Sequence, residues 1–326
     1  MSADAQFHGP VFIVGMPRSG TKLLRGLLNG HSRIGIPMAE TEFLPDWERR
    51  WDGFGDLTDP ERFRVFYDSV KSSAYFTYLK EEQGRDHRWQ DWHARCEGGS
   101  LAEVFEGLLR MDAGVVDGGL WGDKSPGYIA HLGLIRKHFP EARIIHIVRD
   151  VRDYCMSIQK AWGKDPLRAA QRWVDRIEAI RDEDLLELHY EDLLEDPAAQ
   201  LRRVCEWLSL EFESEMIQLE QAVENLGDTR GQIGIQTQNR HKYVEGMEPT
   251  LRRRIEALAG PTLERLGYPV ETSAPARRLS PTRMAIGQLL DGIQLVRSDA
   301  SQRGWIGAVR FRIRLFRETG RRERLR

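Results

Sequence analysis

The sequence predicts an α/β fold in which helices cover both faces of a parallel β-sheet. Short apolar runs typical of buried strands occur at residues 11–14, 142–148 and 185–190. A helix-like spacing of apolar residues follows each run, and no internal repeat is evident. Strand–helix alternation of this kind is typical of parallel sheets. We therefore expect a single α/β domain with helical insertions.

Composition places the chain among ordinary globular proteins. Hydrophobic residues make up 40% and charged residues 30% of the 326 residues, and the formal charge of −2 argues against a general nucleic-acid binder. Cys96, Cys155 and Cys205 are not closely spaced, which disfavours a disulfide scaffold or a zinc site. The sequence shows neither a signal-peptide pattern nor an apolar stretch of about 18 residues, so a cytoplasmic location is the expectation.

The first predicted strand leads into the most informative segment of the chain. Residues 11–14 are followed by a turn rich in glycine and by a helical pattern that ends near Gly30. Glycines let a backbone close around an anion, and the unpaired N–H groups and dipole of a helix start favour a phosphate there. Nucleoside triphosphatases place a lysine and then a hydroxyl after the last glycine of such a loop. Here Thr21 precedes Lys22 and Arg18 adds a second cation, which indicates a phosphate-binding loop of another kind.

Residues 45–110 are rich in tryptophan, tyrosine and charge, and we expect them to form helices and loops added to the core. Their aromatic residues could line a cleft for an acceptor, but ordinary helix packing is favoured. The residues concerned are Tyr75, Phe76, Tyr78, Trp89 and Trp92.

The second predicted strand, residues 142–148, ends at Arg149. Asp150 is expected to cap the helix that follows, and Ser157 lies about two turns into that helix. A guanidinium at the strand end and a hydroxyl on the helix could hold one phosphate from two sides. The alternative is that Arg149 pairs with Asp150 or Asp153 while Ser157 is only a packed helix residue.

The third predicted strand, residues 185–190, ends at Tyr190. This tyrosine could contact a nucleotide or could be a core residue at the end of the strand. Asp196 and Pro197 then open another helix, which is predicted to reach about Leu208.

A linker and a basic tail, residues 271–326, follow the predicted domain of residues 1–270. Pro275 and Pro281 mark the linker, and an amphipathic helix is predicted over residues 284–296. Nine arginines but only two acidic residues occur between positions 303 and 326. Apolar residues there have helical spacing, although strict alternation over residues 309–315 leaves a strand open. Such a tail can lie on an anionic membrane, and a solvated or self-packed terminus is the alternative.

The segments P-R-S-G-T-K-L-L at residues 17–24 and I-I-H-I-V-R-D-V-R-D-Y-C-M-S at residues 144–157 resemble the two cofactor signatures of the sulfotransferases. Members of this family use 3′-phosphoadenosine-5′-phosphosulfate (PAPS) as the sulfuryl donor. Three further segments are similar to parts of the glycan and tyrosylprotein branch, and they occur in the same order. These are residues 39–42, 122–126 and 189–193. The resemblance spans about residues 11–245 and implies a P-loop-NTPase-like sheet.

The resemblance implies which residues would bind the donor. The 5′-phosphate would be held by Arg18, Ser19, Gly20, Thr21 and Lys22, and the 3′-phosphate by Arg149 and Ser157. Tyr190 would contact the nucleotide. Residues 228–243 resemble the late loop that closes over the donor, in which Lys242 would reach the phosphates; a flexible polar loop is the alternative. Lys22 departs from the family pattern, which has a second threonine at this position.

The resemblance also implies the residues of catalysis. Glu40 would remove the proton of the acceptor, with Glu42 as the rival candidate, and a positioned base typically contributes ~10²–10⁴-fold. Lys124, in a loop bounded by glycine, and Arg18 would stabilise charge that develops on the bridging oxygen. No metal ion is implied, because cations of the chain supply the positive charge.

The predicted function is therefore sulfuryl transfer from PAPS to a hydroxyl of an acceptor, which could be a glycan, a lipid, a small molecule or a peptide tyrosine. The alternative is a P-loop kinase or another phosphotransferase, which would normally need Mg²⁺. The order of Thr21 and Lys22 argues against it. A non-catalytic nucleotide-binding protein is a third hypothesis, and the presence of Glu40 and Lys124 disfavours it.

Overall fold

The computed structural model describes residues 7–223, 228–272 and 277–318. Its centre is one sheet of five parallel strands in the order β2-β3-β1-β4-β5, which confirms the predicted α/β fold. The strands are β1 (Val11–Gly15), β2 (Ile34–Gly35), β3 (Leu120–Lys124), β4 (Arg143–Val148) and β5 (Leu186–His189).

Helices connect the strands and cover both faces of the sheet. The helices that precede β4 in the chain are α1 (Thr21–Leu28), α2 (Leu44–Arg50), α3 (Pro60–Val70), α4 (Ala74–Gln83), α5 (Trp89–His93), α6 (Leu101–Ala113) and α7 (Leu132–His138). The later helices are α8 (Val151–Trp162), α9 (Pro166–Ala179), α10 (Tyr190–Glu195), α11 (Pro197–Trp207), α12 (Tyr243–Gly246), α13 (Pro249–Arg265) and α14 (Pro281–Glu318).

Strand β1 lies in the middle of the sheet and is buried on both faces, which explains its unbroken apolar sequence. Phe12 and Val14 belong to a large aromatic core on one face, whereas Val11 and Ile13 pack with α1 on the other. Tyr75, Phe76 and Trp92 are buried in the aromatic core, with Tyr78 and Trp89 packed partly buried against it. The prediction of ordinary packing for these residues is confirmed.

Two strands, β2 and β3, are missing from the sequence-based prediction, and the loop predicted around Lys124 is wrong. Lys124 is the last residue of β3. Glycine, aspartate and lysine are depleted in strands, so the sequence L-W-G-D-K does not look like one. The pairing of β3 with β1 on one side and with β2 on the other decides the structure instead. A side chain at Gly122 would overlap the carbonyl of Val11.

The parallel register brings three chain segments to one edge of the sheet. Ile13 of β1 lies opposite Lys124 of β3, and Gly15 lies opposite Ile147 of β4. Since parallel strands all end at the same edge, Lys124, the turn after Gly15 and Arg149 emerge there side by side. Ligands of open α/β sheets bind at this carboxyl edge.

Helix ends follow the sequence signals closely. Asp150 caps α8 by accepting a hydrogen bond from the Arg152 N–H at 2.8 Å, and Asp196 caps α11 through the Ala199 N–H at 2.9 Å. The cap at Asp150 and the helix start at Asp196 and Pro197 are both predicted by the sequence, and aspartate accepts readily from the free N–H groups of a first turn.

The tail forms a helix, which settles the choice left open over residues 309–315. Helix α14 begins at Pro281, so this proline is a helix start rather than part of a linker, whereas Pro275 lies outside the described residues. Gly304 interrupts α14 with φ 67° and ψ 163°. Within the described residues, none of the helices is long and apolar enough to span a bilayer.

Candidate donor-binding and catalytic site

The loop between β1 and α1 makes a tight turn at the carboxyl edge of the sheet. The Ser19 N–H donates to the Met16 carbonyl at 3.1 Å, and both Arg18 (φ 74°) and Gly20 (φ 95°) have left-handed backbones. A Cβ at Gly20 would overlap the Tyr190 ring, so glycine is required here on two grounds. Gly20 offers no side-chain cap to α1, which leaves the N–H groups of its first turn available to an anion.

Two buried polar atoms beside this loop lack a hydrogen-bond partner among the described residues. They are Ser19 Oγ and Arg149 Nε. Buried donors without an acceptor are costly, about 1–3 kcal/mol each, and they are uncommon in folded proteins. A phosphate supplies several acceptor oxygens, so the loop and Arg149 together fit an anionic ligand.

Arg149 is 4% exposed and is held from several sides. One of its amino groups donates to the carbonyl of Arg18 at 3.2 Å, and the other donates to the carbonyl of Asn239 at 3.0 Å. Its guanidinium lies 4.6 Å from the centre of the Tyr190 ring and 3.7 Å from an oxygen of Asp153. The ion pair with Asp153 named as an alternative therefore exists, and it coexists with contacts to the turn that leave Nε without a partner in the described chain.

Ser157 and Arg18 meet across the site although 139 positions separate them. Arg18 Nε donates to Ser157 Oγ at 3.4 Å. Both residues line a cavity of about 530 Å³, together with Arg149. This volume is in the range of a site for a nucleotide-sized ligand. Ser157 is thus a cavity residue that contacts the loop, not only a packed helix residue.

Lysines give the far wall of this cavity a positive charge. Lys160 of α8 and Lys242 both form ion pairs with Asp228, and all three side chains line the cavity. Hydrogen bonds from Lys160 and then Lys242 lower the pKa of Asp228 to about 2. The sequence prediction did not include Lys160, although its position three residues after Ser157 places both on one face of a helix.

A narrower cleft continues from this cavity towards α1. It is lined by Gly20, Leu23, Tyr190, Leu194 and Gln236, and it shares Arg18, Arg149, Thr229 and Asn239 with the cavity. The Tyr190 hydroxyl accepts a hydrogen bond from the Asn239 amide at 2.8 Å. Tyr190 therefore lines the cleft and also packs in the core, so the two interpretations of this residue are compatible.

Glu40 and Lys124 form an ion pair at the β3 side of the loop. The Lys124 side chain is fully buried, whereas 34% of the Glu40 side chain is exposed. An exposed carboxylate oriented by a buried ammonium group can reach a ligand without losing its partner. Glu42, the rival candidate, has a left-handed backbone with φ 45°.

A buried hydrogen-bond network fixes the segment that carries Glu40. The Tyr128 hydroxyl is 2.7 Å from Thr41 Oγ1 and accepts from the Leu44 N–H at 3.1 Å. Ser125 Oγ accepts from the Thr41 N–H at 2.9 Å. Below it, burial raises the pKa of Asp123 to about 7. The segment is thereby attached to the residues that follow β3.

The structure brings most of the predicted site residues to one edge of the sheet. Ser19 of the loop and Thr21 at the start of α1 are buried, and Lys22 is half-buried on α1. Lys242 reaches the cavity from the late loop.

Residues 10–214 match the sulfotransferase family. This chain belongs to that family.

Relatives of this sulfotransferase include proteins of bacteria and nematodes. It is 23% identical over 297 residues to protein-tyrosine sulfotransferase A of Caenorhabditis elegans, a match that covers 81% of this chain and 68% of that protein. It is 25% identical over 231 residues to an uncharacterized protein of Aquifex aeolicus, where 64% of this chain spans only 26% of the relative.

Two solved structures share the fold of this sulfotransferase. The sulfotransferase domain from the curacin biosynthetic pathway superposes with a TM-score of 0.54 and 20% identity, over 82% of this chain and 100% of that domain. The sulfotransferase domain of the Synechococcus PCC 7002 olefin synthase has the same TM-score and identity, over 83% and 98%. Sulfotransferases have a P-loop-NTPase-like fold, and the parallel sheet of this chain, with helices on its faces, has that architecture.

Proposed function

We propose that this sulfotransferase uses PAPS as the donor and transfers its sulfuryl group to a hydroxyl of an acceptor. The observation that supports this most directly is the contact between Arg18 and Ser157 beside Arg149. It joins the loop after β1 to the middle of α8 in a single cation-lined cavity. A donor with phosphates on both the 3′ and the 5′ position of its ribose requires two anion sites that share one cleft.

The residues of the loop would hold the 5′ end of the donor. Ser19 Oγ has no hydrogen-bond partner in the described chain, no side chain caps the first turn of α1, and Lys22 adds positive charge. Arg149 and Ser157 would hold the 3′-phosphate, with Lys242 closing from the late loop. When bound, PAPS supplies an activated sulfuryl group on a good leaving group.

Glu40 would act as the base that accepts the proton of the acceptor hydroxyl. The ion pair with Lys124 fixes the orientation of its carboxylate, which is still partly exposed and so accessible to an acceptor. Lys124 and Arg18 would stabilise negative charge near the bridging oxygen, where a buried donor acts in a low dielectric.

Nucleotide binding tests the donor assignment. Adenosine 3′,5′-bisphosphate should bind more tightly than adenosine 5′-phosphate, and Arg149→Ala should reduce that preference by about tenfold or more. The matched control is Arg64→Ala, which removes an exposed arginine of α3. Equal affinity of the unmutated protein for both nucleotides would contradict the assignment of a 3′-phosphate site.

Metal dependence separates the transferase from the phosphotransferase alternative. A P-loop kinase needs Mg²⁺ between the phosphates, so its activity fails in EDTA. Sulfuryl transfer that relies on arginine and lysine side chains of the protein should persist in EDTA. The acceptor class is best found by transferring labelled sulfate from PAPS into extracts of the source cell and identifying the product by mass. Tight nucleotide binding with no product in any extract would favour the non-catalytic hypothesis.

A further inference from the structure

The first part of helix α14 packs one face on the domain and exposes an apolar face on another side. Asp291 and Leu295 are buried, and Asp291 pairs with Arg168 of α9 and accepts from the Asp165 N–H at 3.0 Å. Another set with i, i+3, i+4, i+7 spacing forms a different face that is 43–67% exposed. This set consists of Ile286, Leu289, Leu290 and Ile293.

Helix α14 turns back on itself at Gly304. Arg312, in the second part, forms an ion pair with Asp299 in the first part. Thirteen positions separate these residues, which is about 20 Å along a continuous helix and beyond the reach of the two side chains. The non-helical backbone of Gly304 therefore lets the two parts pack side by side, and Ala308 is fully buried.

The second part of α14 exposes a further apolar stripe, which contains an aromatic residue. Trp305, Ile306, Val309 and Ile313 are 63, 72, 43 and 48% exposed. Exposed apolar residues that gather along one short helix are unusual in a protein that meets only water. Arg310 is exposed on the same part of the helix.

Charge is strongly segregated between this tail and the rest of the chain. Residues 303–326 contain nine arginines and two glutamates, which is a formal side-chain charge of +7. The whole chain has a formal charge of −2, so residues 1–302 carry −9. An anionic partner therefore attracts the tail and repels the remainder of the protein, which orients the molecule on such a surface.

We propose that helix α14 is a docking surface for a membrane with anionic lipid headgroups. Trp305, Ile306 and the stripe around Leu289 enter the boundary between headgroups and acyl chains, and the exposed Arg310 contacts lipid phosphates. The net positive charge of residues 303–326 favours the same anionic surface. An apolar stripe combined with a cluster of basic residues is the pattern of helices that lie in the plane of a membrane surface. A tryptophan at the edge of the apolar stripe matches the preference of this side chain for the interface.

Co-sedimentation of the full chain with lipid vesicles tests this proposal. Vesicles of phosphatidylcholine with phosphatidylglycerol should bind the protein, and binding to phosphatidylcholine alone should be weaker by about tenfold or more. Trp305→Ser combined with Ile306→Ser should raise the lipid concentration needed for half-binding by about tenfold. Arg310→Glu should raise it about fivefold or more, and Leu289→Ser with Leu290→Ser should also weaken binding.

Val65→Ser is the matched control, since Val65 is 69% exposed on α3, away from the tail. It should leave vesicle binding unchanged. No binding, equal binding to neutral and anionic vesicles, or binding that neither double variant weakens would overturn the proposal. Light scattering without lipid tests whether a second copy of the chain covers this face instead. The protein could instead form a dimer that the Trp305→Ser, Ile306→Ser variant dissociates, and show no binding to vesicles. That result would mean that this face is an interface between two copies of the chain, and the membrane proposal would be wrong.

Discussion

The carboxylate of Asp228 competes with a bound phosphate for the lysines of the candidate donor cavity. Removing its charge should therefore strengthen nucleotide binding. Its carboxylate pairs with Lys160 and Lys242, and its lowered pKa of about 2 keeps it ionised near neutral pH. A phosphate that binds these two lysines has to replace the carboxylate. Asp228→Asn removes the competing charge and keeps the size of the side chain.

The exposure of the two ion pairs sets the size of the effect. The side chains of Asp228, Lys160 and Lys242 are 40, 66 and 33% exposed, so solvent screens both interactions. Exposed ion pairs contribute about 0.2–1 kcal/mol each. Losing both removes about 0.4–2 kcal/mol of competition, so the affinity for adenosine 3′,5′-bisphosphate should rise about two- to thirtyfold.

Isothermal titration calorimetry of the nucleotide measures this directly at about 0.1 M salt. Asp52→Asn, which removes an exposed charge outside the cavity, is the control. The gain should shrink as salt rises. It should stay constant between about pH 6 and 8, because a carboxylate with a lowered pKa loses its charge only in acid. An affinity that falls in Asp228→Asn would refute the reasoning, since it would mean that Asp228 organises the late loop for binding instead of competing with the ligand.

Four further variants test the site and its support. Glu40→Gln should reduce turnover by ~10²–10⁴-fold with nucleotide affinity unchanged, whereas Glu42→Gln should remain active; the reverse result would make Glu42 the base. Lys124→Ala should lower kcat by ~10²–10³-fold with a modest loss of donor binding, and full activity in a steady-state assay would remove Lys124 from the mechanism. Tyr128→Phe leaves the Leu44 N–H buried without its acceptor and should lower the free energy of unfolding by about 1–3 kcal/mol, measured by urea titration; an effect no larger than that of Tyr78→Phe would contradict the network. Gly20→Ala should weaken nucleotide binding by about tenfold or more, because its Cβ would overlap the Tyr190 ring in a left-handed backbone, whereas Gly133→Ala on α7 has open space and should bind normally.

Local sequence signals predict the parts of the fold that local physics determines. The sequence predicts strands β1, β4 and β5 to within about two residues at each end. The apolar runs of β1 and β4 reflect burial on both faces, whereas β5 lies at the edge of the sheet and buries only Leu188. The caps at Asp150 and Asp196 follow from the chemistry of aspartate at a helix start. The glycine-rich loop was predicted as an anion site from its residue order alone.

Contacts between distant residues could not be predicted in the same way. Three of the five residues of β3 are of types depleted in strands, and the strand is ordered by its pairing with β1 and β2, so its sequence is typical of a loop. Asp228 and Lys160 are 68 positions apart, and no local pattern indicates that they pair. The exposed stripe at Ile286, Leu289, Leu290 and Ile293 could be recognised only once the other face of α14 was seen to pack on α9.

The sequence by itself determined the order of the motifs, the chemistry that each can offer and the positive charge of the tail, because these depend on residue type and near neighbours. Only the tertiary structure decided which of those groups meet. Glu40 and Lys124 are 84 positions apart, and Arg18 and Ser157 are 139 apart. They come together because parallel strands end at one edge of the sheet, and this pairing is a property of the whole chain that no short segment encodes.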